Sequence, residues 1–219
     1  EAVALGGNFN IFIDLFTSDE GSTETTNDLN DAVDNFVTYV TDRGKYIDYR
    51  IGITTTDIAA QEGRLLGTPA VIEKSSPTVE SDFRRNLFCD ATYWERANVP
   101  SVTDEGYDPD SGDITQEYLD EVCGAGWDGN SGTGNEEHLE AAYLALCRSV
   151  PEPPEECFDP IGPFTEEDIG SNGDFLREDS TIVIVVVTDE GDNSRRMQQG
   201  QSEPEPYIDA FDDFERRIR

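Results

Sequence analysis

Positive charge is scarce in this chain. Lysine and arginine together number 15 against 48 aspartates and glutamates, a formal net charge of −33. A nucleic-acid binder neutralises phosphates with clustered Lys and Arg, and an anionic membrane surface attracts the same residues. Both partner classes are therefore excluded. Long apolar runs are missing as well. A bilayer span needs about 18 or more apolar residues, and no stretch here, the β-branched run Ile182–Val187 included, comes near that. No pair of cysteines forms a CxxC, and His138 is the lone histidine, so a Cys/His zinc site of usual spacing is excluded too.

What is present reads as a folded domain with an acidic skin. Hydrophobic residues make up 36% of the chain and recur with regular periods, which separates it from a disordered polyanion. Only Lys45 and Lys74 are lysines; the other basic residues are arginines. Acid-rich, lysine-poor surfaces resemble those of proteins from salty environments, where salt screens self-repulsion. A plainly acidic extracellular protein is the alternative. The four cysteines are Cys89, Cys123, Cys147 and Cys157. An even number in an acidic, exported chain suggests two disulfides, against four buried free thiols in a cytosolic protein. Three pairings exist. Cys147 and Cys157 flank the turn Pro151-Glu152-Pro153-Pro154 and are placed to clamp it, which leaves Cys89 for Cys123.

Strand and helix periods alternate along the chain. Phe9–Asp14 reads as a short buried strand ending in an acid. Leu29, Ala32, Val33, Phe36, Val37 and Val40 recur at helical spacing. Ile47, Tyr49, Ile51 and Ile53 alternate with polar or small residues, the pattern of a half-buried strand, and run into Thr54-Thr55-Thr56-Asp57. An edge strand is expected at Ala70-Val71-Ile72. Residues 86–132 read as a loop-rich, disulfide-containing insertion with a short helix at Thr115–Val122. Leu139, Ala142, Tyr143, Leu146 and Cys147 mark another helix after a Gly-rich segment. Ile182–Val187 is a run of β-branched residues suited to a central parallel strand covered on both faces. A last helix is expected over about Pro206–Ile218. The sum is a single α/β domain over 1–219, three-layered, with a mostly parallel central sheet and helices on both faces. In such sheets ligands bind beyond the carboxyl ends of the strands, where the strand order reverses. Asp14 and Asp189 fall at that edge.

Four segments in this order resemble the von Willebrand factor type A domain of bacterial secreted or surface proteins. They are IFIDLFTSDEGST, IGITTTD, GTGNEEHLEAAYLAL and FLREDSTIVIVVVTDEGDNS. The resemblance implies a Rossmann-like sheet with a divalent cation, Mg2+ or Ca2+, at its top. Carried over residue by residue, the ligands are Asp14, Ser18, Thr133 and Asp189. The first Ser of the family's Asp-x-Ser-x-Ser falls on Phe16, which cannot ligate a metal, and the loop is longer, so Ser22 is the shifted counterpart. A hard cation suits carboxylate and hydroxyl oxygens, with a position left for a partner's acidic side chain. The resemblance thus implies an extracellular or cell-surface adhesion domain that binds a protein ligand, and no enzyme. It also implies two further strands after the fourth, so the chain is expected to be part of a longer one, or to have its sheet edge completed by another segment of an assembly.

Other readings compete. One is a structural subunit of a surface assembly with a vestigial metal site. Another is a magnesium-dependent phosphoryl-transfer hydrolase of haloacid-dehalogenase type, but its motif needs a second Asp where Phe16 stands. Asp108–Ile114 resembles an EF-hand calcium loop, yet position twelve from Asp108 is Leu119 and not Glu, and a solvated acidic turn is the simpler reading. His138 is expected on the surface or packed under a loop. Trp94 and Trp127 are partner anchors or packing under a long loop.

Overall fold

The computed structural model describes residues 8–15, 35, 48–91, 96–111, 113–127, 137–158, 164–177, 180–187, 195–196 and 205–206. Its centre is a four-stranded sheet built from β1 (Asn8–Leu15), β2 (Asp48–Thr55), β3 (Val71–Glu73) and β4 (Thr181–Val187), in the order β3-β2-β1-β4. β1 pairs in parallel with β2 on one side and β4 on the other, and β3 runs antiparallel to β2. Three parallel strands need crossover connections between them. The strand order reverses at β1, because β2 and β3 lie to one side of it and β4 to the other.

Helices α1 (Val79–Arg85), α2 (Gln116–Cys123) and α3 (His138–Arg148) flank these strands in sequence, and a π-helical segment, Asn86–Ala91, continues α1. α2 starts where its cap does: Thr115 Oγ1 accepts a hydrogen bond from the Tyr118 amide at 3.2 Å. A two-residue ladder joins β5 (Arg195–Arg196) and β6 (Glu205–Pro206). Pro206 lies in β6 and does not open a helix; the rest of the expected C-terminal helix lies outside the described residues. So does the first expected helix, apart from Asn35, which is helical and exposed. No helix among the described residues is long and apolar enough to cross a membrane.

Each face of β2 meets its own apolar cluster. Tyr49, Ile51 and Ile53 pack with Phe83, Leu87, Phe88, Val99 and Leu119. The segment read as an insertion thus supplies much of this core, and the Cys89–Cys123 disulfide ties its π-helical part to α2. Trp127 packs against the same cluster. On the other face, Leu65 and Phe175 join Ala142, Tyr143, Leu144 and Ala145 of α3. Gly52 makes room for them: a Cβ there would lie 2.8 Å from both Leu65 methyls. The second disulfide, Cys147–Cys157, closes the Pro-rich excursion as its flanking position suggested.

Two expectations trade places here. β2, whose alternation suggested a half-buried strand, is buried from Ile51 to Thr55. β4 is parallel as expected, but among the described residues it stands at the edge of the sheet and is only partly covered. Val183 is 37% exposed and Val186 39%. Burial is set by lateral neighbours and covering elements: β2 has both, whereas among the described residues β4 pairs with β1 alone.

α3 is fixed at its C-terminal end by Arg148, which is fully buried. Its guanidinium donates to the Glu62 carbonyl (2.5 Å), Glu62 Oε2 (3.1 Å), Asp168 Oδ1 (2.5 Å) and Ser171 Oγ (3.2 Å). Asn172 adds a second tie, donating to the Gly63 and Ala145 carbonyls and accepting from the Leu65 amide. Burying such a charge is tolerable only when its donors are used, and here they are.

Candidate functional site

The strand order reverses at β1, and in open α/β sheets ligands bind beyond the C-terminal ends of the strands at such a reversal. Asp14 sits at that end of β1, in register with Thr54 of β2 and Val186 of β4. Of the expected cation ligands it alone lies in the described residues. Ser18, Ser22, Thr133 and Asp189 lie outside them, as do Phe16, the Gly-rich segment 129–136 and Trp94.

The rest of the described rim comes from the end of β2 and the start of α3. Thr54, Thr55, Thr56 and Asp57 are all buried, a run of oxygen groups beside Asp14's strand. Thr54 Oγ1 donates to the Arg64 carbonyl at 2.8 Å. Asp57 Oδ1 accepts from the Ala59 and Ala60 amides, both at 3.1 Å, so this carboxylate holds the turn that leaves β2. The Thr56 carbonyl accepts from the Glu137 amide at 3.3 Å, which docks the start of α3 on the strand end. Thr56 Oγ1 is buried without a hydrogen-bond partner. Glu137, the cap residue of α3, and His138 and Glu140 in its first turn are all buried. His138 is therefore not a surface residue: α3 is buried on all sides, not on one stripe.

Sequence reasoning did not single out Thr56, Glu137 or Glu140. The available signal was the run Thr54-Thr55-Thr56-Asp57 directly after an apolar alternation, polar residues at the end of a strand that are too numerous for a simple turn. Chemically the rim offers hydroxyl and carboxylate oxygens in a dry setting, the donor class of a hard cation. Among the described residues no group of three or more His, Cys, Asp or Glu is arranged to hold a metal ion.

The acidic loop at Asp108 has a local explanation. The Asp110 amide donates to Asp108 Oδ1 at 2.9 Å, the Ser111 amide to the Asp108 carbonyl at 3.0 Å, and the Asp113 amide to Ser111 Oγ at 3.2 Å. These are turn bonds in an exposed segment. Elsewhere, Asp120 takes a two-point contact from Arg96, at 2.7 and 2.8 Å, and those bonds hold its carboxyl below the usual carboxylate range. Compared with protein families, with curated proteins and with solved structures, the chain matches none.

Proposed function

We propose that the chain is a binding module of von Willebrand factor type A kind: a three-layer α/β domain of an exported protein that engages a protein ligand through a divalent cation. One observation carries the reading. β1 is parallel to both neighbours, the strand order reverses at it, and Asp14 is its next-to-last residue. An acid at the switch point of a parallel sheet is where a cation-dependent site belongs. The two disulfides fit an oxidising, extracellular setting.

In this reading Asp14 and Asp189 supply carboxylates, and Thr133 with Ser18 or Ser22 supplies neutral oxygens. Mg2+ or Ca2+ is the cation class those donors suit. The ion's role is electrostatic: it lets two carboxylates approach and attracts an acidic side chain of the partner, which a chain of −33 would otherwise repel. Phe16 favours the second reading, a structural subunit of a surface assembly whose metal site has decayed.

Titration calorimetry of the chain with MgCl2 and CaCl2 separates the two. The binding-module reading predicts one saturable site for one of the ions, abolished by Asp14→Asn and by Asp189→Ala while the unfolding midpoint without metal is kept. Absence of heat with both ions contradicts it.

A further inference from the structure

We propose that Asn172–Gly173 is a modification site gated by the fold: the folded chain holds it inert, and opening of the segment 164–177 exposes it to a deamidation that bars return to the native state. This is independent of the cation rim. The pair is the only Asn-Gly step in the sequence. After the asparagine, a glycine nitrogen has no Cβ beside it to hinder attack on the side-chain carbonyl. The Gly173 nitrogen bonds to Asn172 Cγ, the Cγ–Nδ2 bond breaks, and Nδ2 leaves as ammonia with the Gly173 amide proton. Water then opens the cyclic imide, at one carbonyl to aspartate and at the other to isoaspartate. The chemistry needs water alone.

The native geometry blocks the attack at both atoms. Asn172 is 6% exposed. Its Nδ2 donates to the Gly63 and Ala145 carbonyls, both at 3.0 Å, and its Oδ1 accepts from the Leu65 amide at 3.0 Å. Turning Cγ toward Gly173 breaks these buried bonds. The nucleophile is engaged as well, since the Gly173 amide donates to the Gly170 carbonyl at 2.9 Å. Gly173 has a φ of 59°, the left-handed region that favours glycine, and a Cβ there would meet nothing within 4 Å. The turn's backbone, not crowding, therefore calls for the residue that makes the step labile.

The product does not fit the site. Aspartate places a carboxylate oxygen against the two carbonyl oxygens that Nδ2 now serves, and a buried charge without a partner is strongly destabilising. The Arg148 guanidinium is already committed to Glu62, Asp168 and Ser171. Isoaspartate also lengthens the backbone by a carbon shortly before Phe175, which is fully buried and packs with Leu65 over Gly52. One side chain thus ties the cover of β2 to the end of α3, and its conversion releases both.

The test ages the whole oxidised chain at mildly alkaline pH, with and without guanidinium chloride, and follows Asn172 by peptide mass spectrometry. In denaturant Asn172 should convert faster than any other asparagine. In native buffer it should convert slower by roughly two orders of magnitude or more, because only the opened fraction reacts. Chain aged in denaturant and returned to native buffer should lose its native unfolding transition in proportion to conversion at Asn172. A Gly173→Ala chain aged alongside, compared with its own unaged sample, should keep both the asparagine and the transition. Unaged Asn172→Asp should show the same loss as the converted chain. Conversion as fast in native buffer as in denaturant overturns the gating. Refolding of converted chain, or of Asn172→Asp, with the unmodified midpoint overturns the barrier to return. An equal loss in aged Gly173→Ala assigns the damage to other residues and overturns it too.

Discussion

β2 and β4 are built from the same kind of residues and lie one strand apart, on either side of β1, yet they live in different surroundings. Ile51 and Ile53 in β2 are 1% and 0% exposed, whereas Val183 and Val186 in β4 are more than a third exposed. The difference lies in what reaches them. Phe83, Leu87, Phe88 and Leu119 close one face of β2, and Leu65 and Phe175 close the other over Gly52. Among the described residues β4 has one lateral neighbour, and its packing partners reach only part of it. Strand composition states a need for burial; the elements that meet the need come from elsewhere in the chain or from another chain.

The largest expected effect is a pair of truncations. Ile53→Ala should destabilise by about 2–5 kcal/mol, because it opens a cavity among groups that cannot collapse. Val186→Ala should change stability by less than about 1 kcal/mol, since half-exposed sites lose little. Urea midpoints of the two variants measure this directly. Equal losses would mean that β4 is buried in solution and would erase the contrast.

A smaller effect is carried by acid–base groups that belong to the covers of β2. At Asp168 burial raises the carboxyl's pKa, but bonds from Arg148 and Thr165 outweigh it, and the net direction is below the ordinary value. Its stabilisation is therefore fully present above the unfolded value of about 3.9 and is lost as pH falls through the folded one. Asp90 behaves oppositely. Burial pushes its carboxyl up, only partly offset by Arg85, and Oδ2 has no hydrogen-bond partner. The native state keeps that proton to higher pH, so stability falls as pH rises from the ordinary carboxylate range to the folded value. Asp168→Asn should flatten the acid limb of a stability–pH profile. Asp90→Asn should remove the decline above it and raise stability at neutral pH. A profile unchanged by either variant would show that these groups do not secure β2's covers.

Much of the local structure was legible in the sequence. The Tyr118, Leu119 and Val122 spacing marked α2, Ala70-Val71-Ile72 marked the edge strand, and the Pro-rich turn between Cys147 and Cys157 marked one disulfide. These signals are local, set by period, cap and turn chemistry. The burial of β2 was not legible, because Leu65 and Phe175 reach Gly52 from distant positions and no period records that. The same holds for the site. Asp14 at the end of an apolar strand was readable as a rim residue, and the structure puts it where the strand order reverses. Thr56 and Glu137 meet through one amide–carbonyl bond across a long separation, and nothing near either residue announces the other.

The contrast between the two strands is tested most directly by residue-resolved hydrogen exchange on the whole chain. Every amide of β2 from Ile51 to Thr55 should exchange slowly, near the rate of global unfolding. In β4 the amides should alternate: those facing β1 slow, those on the outer edge exchanging orders of magnitude faster. Uniformly slow exchange along β4 in the free chain would contradict the account, because it would mean that the edge is already paired.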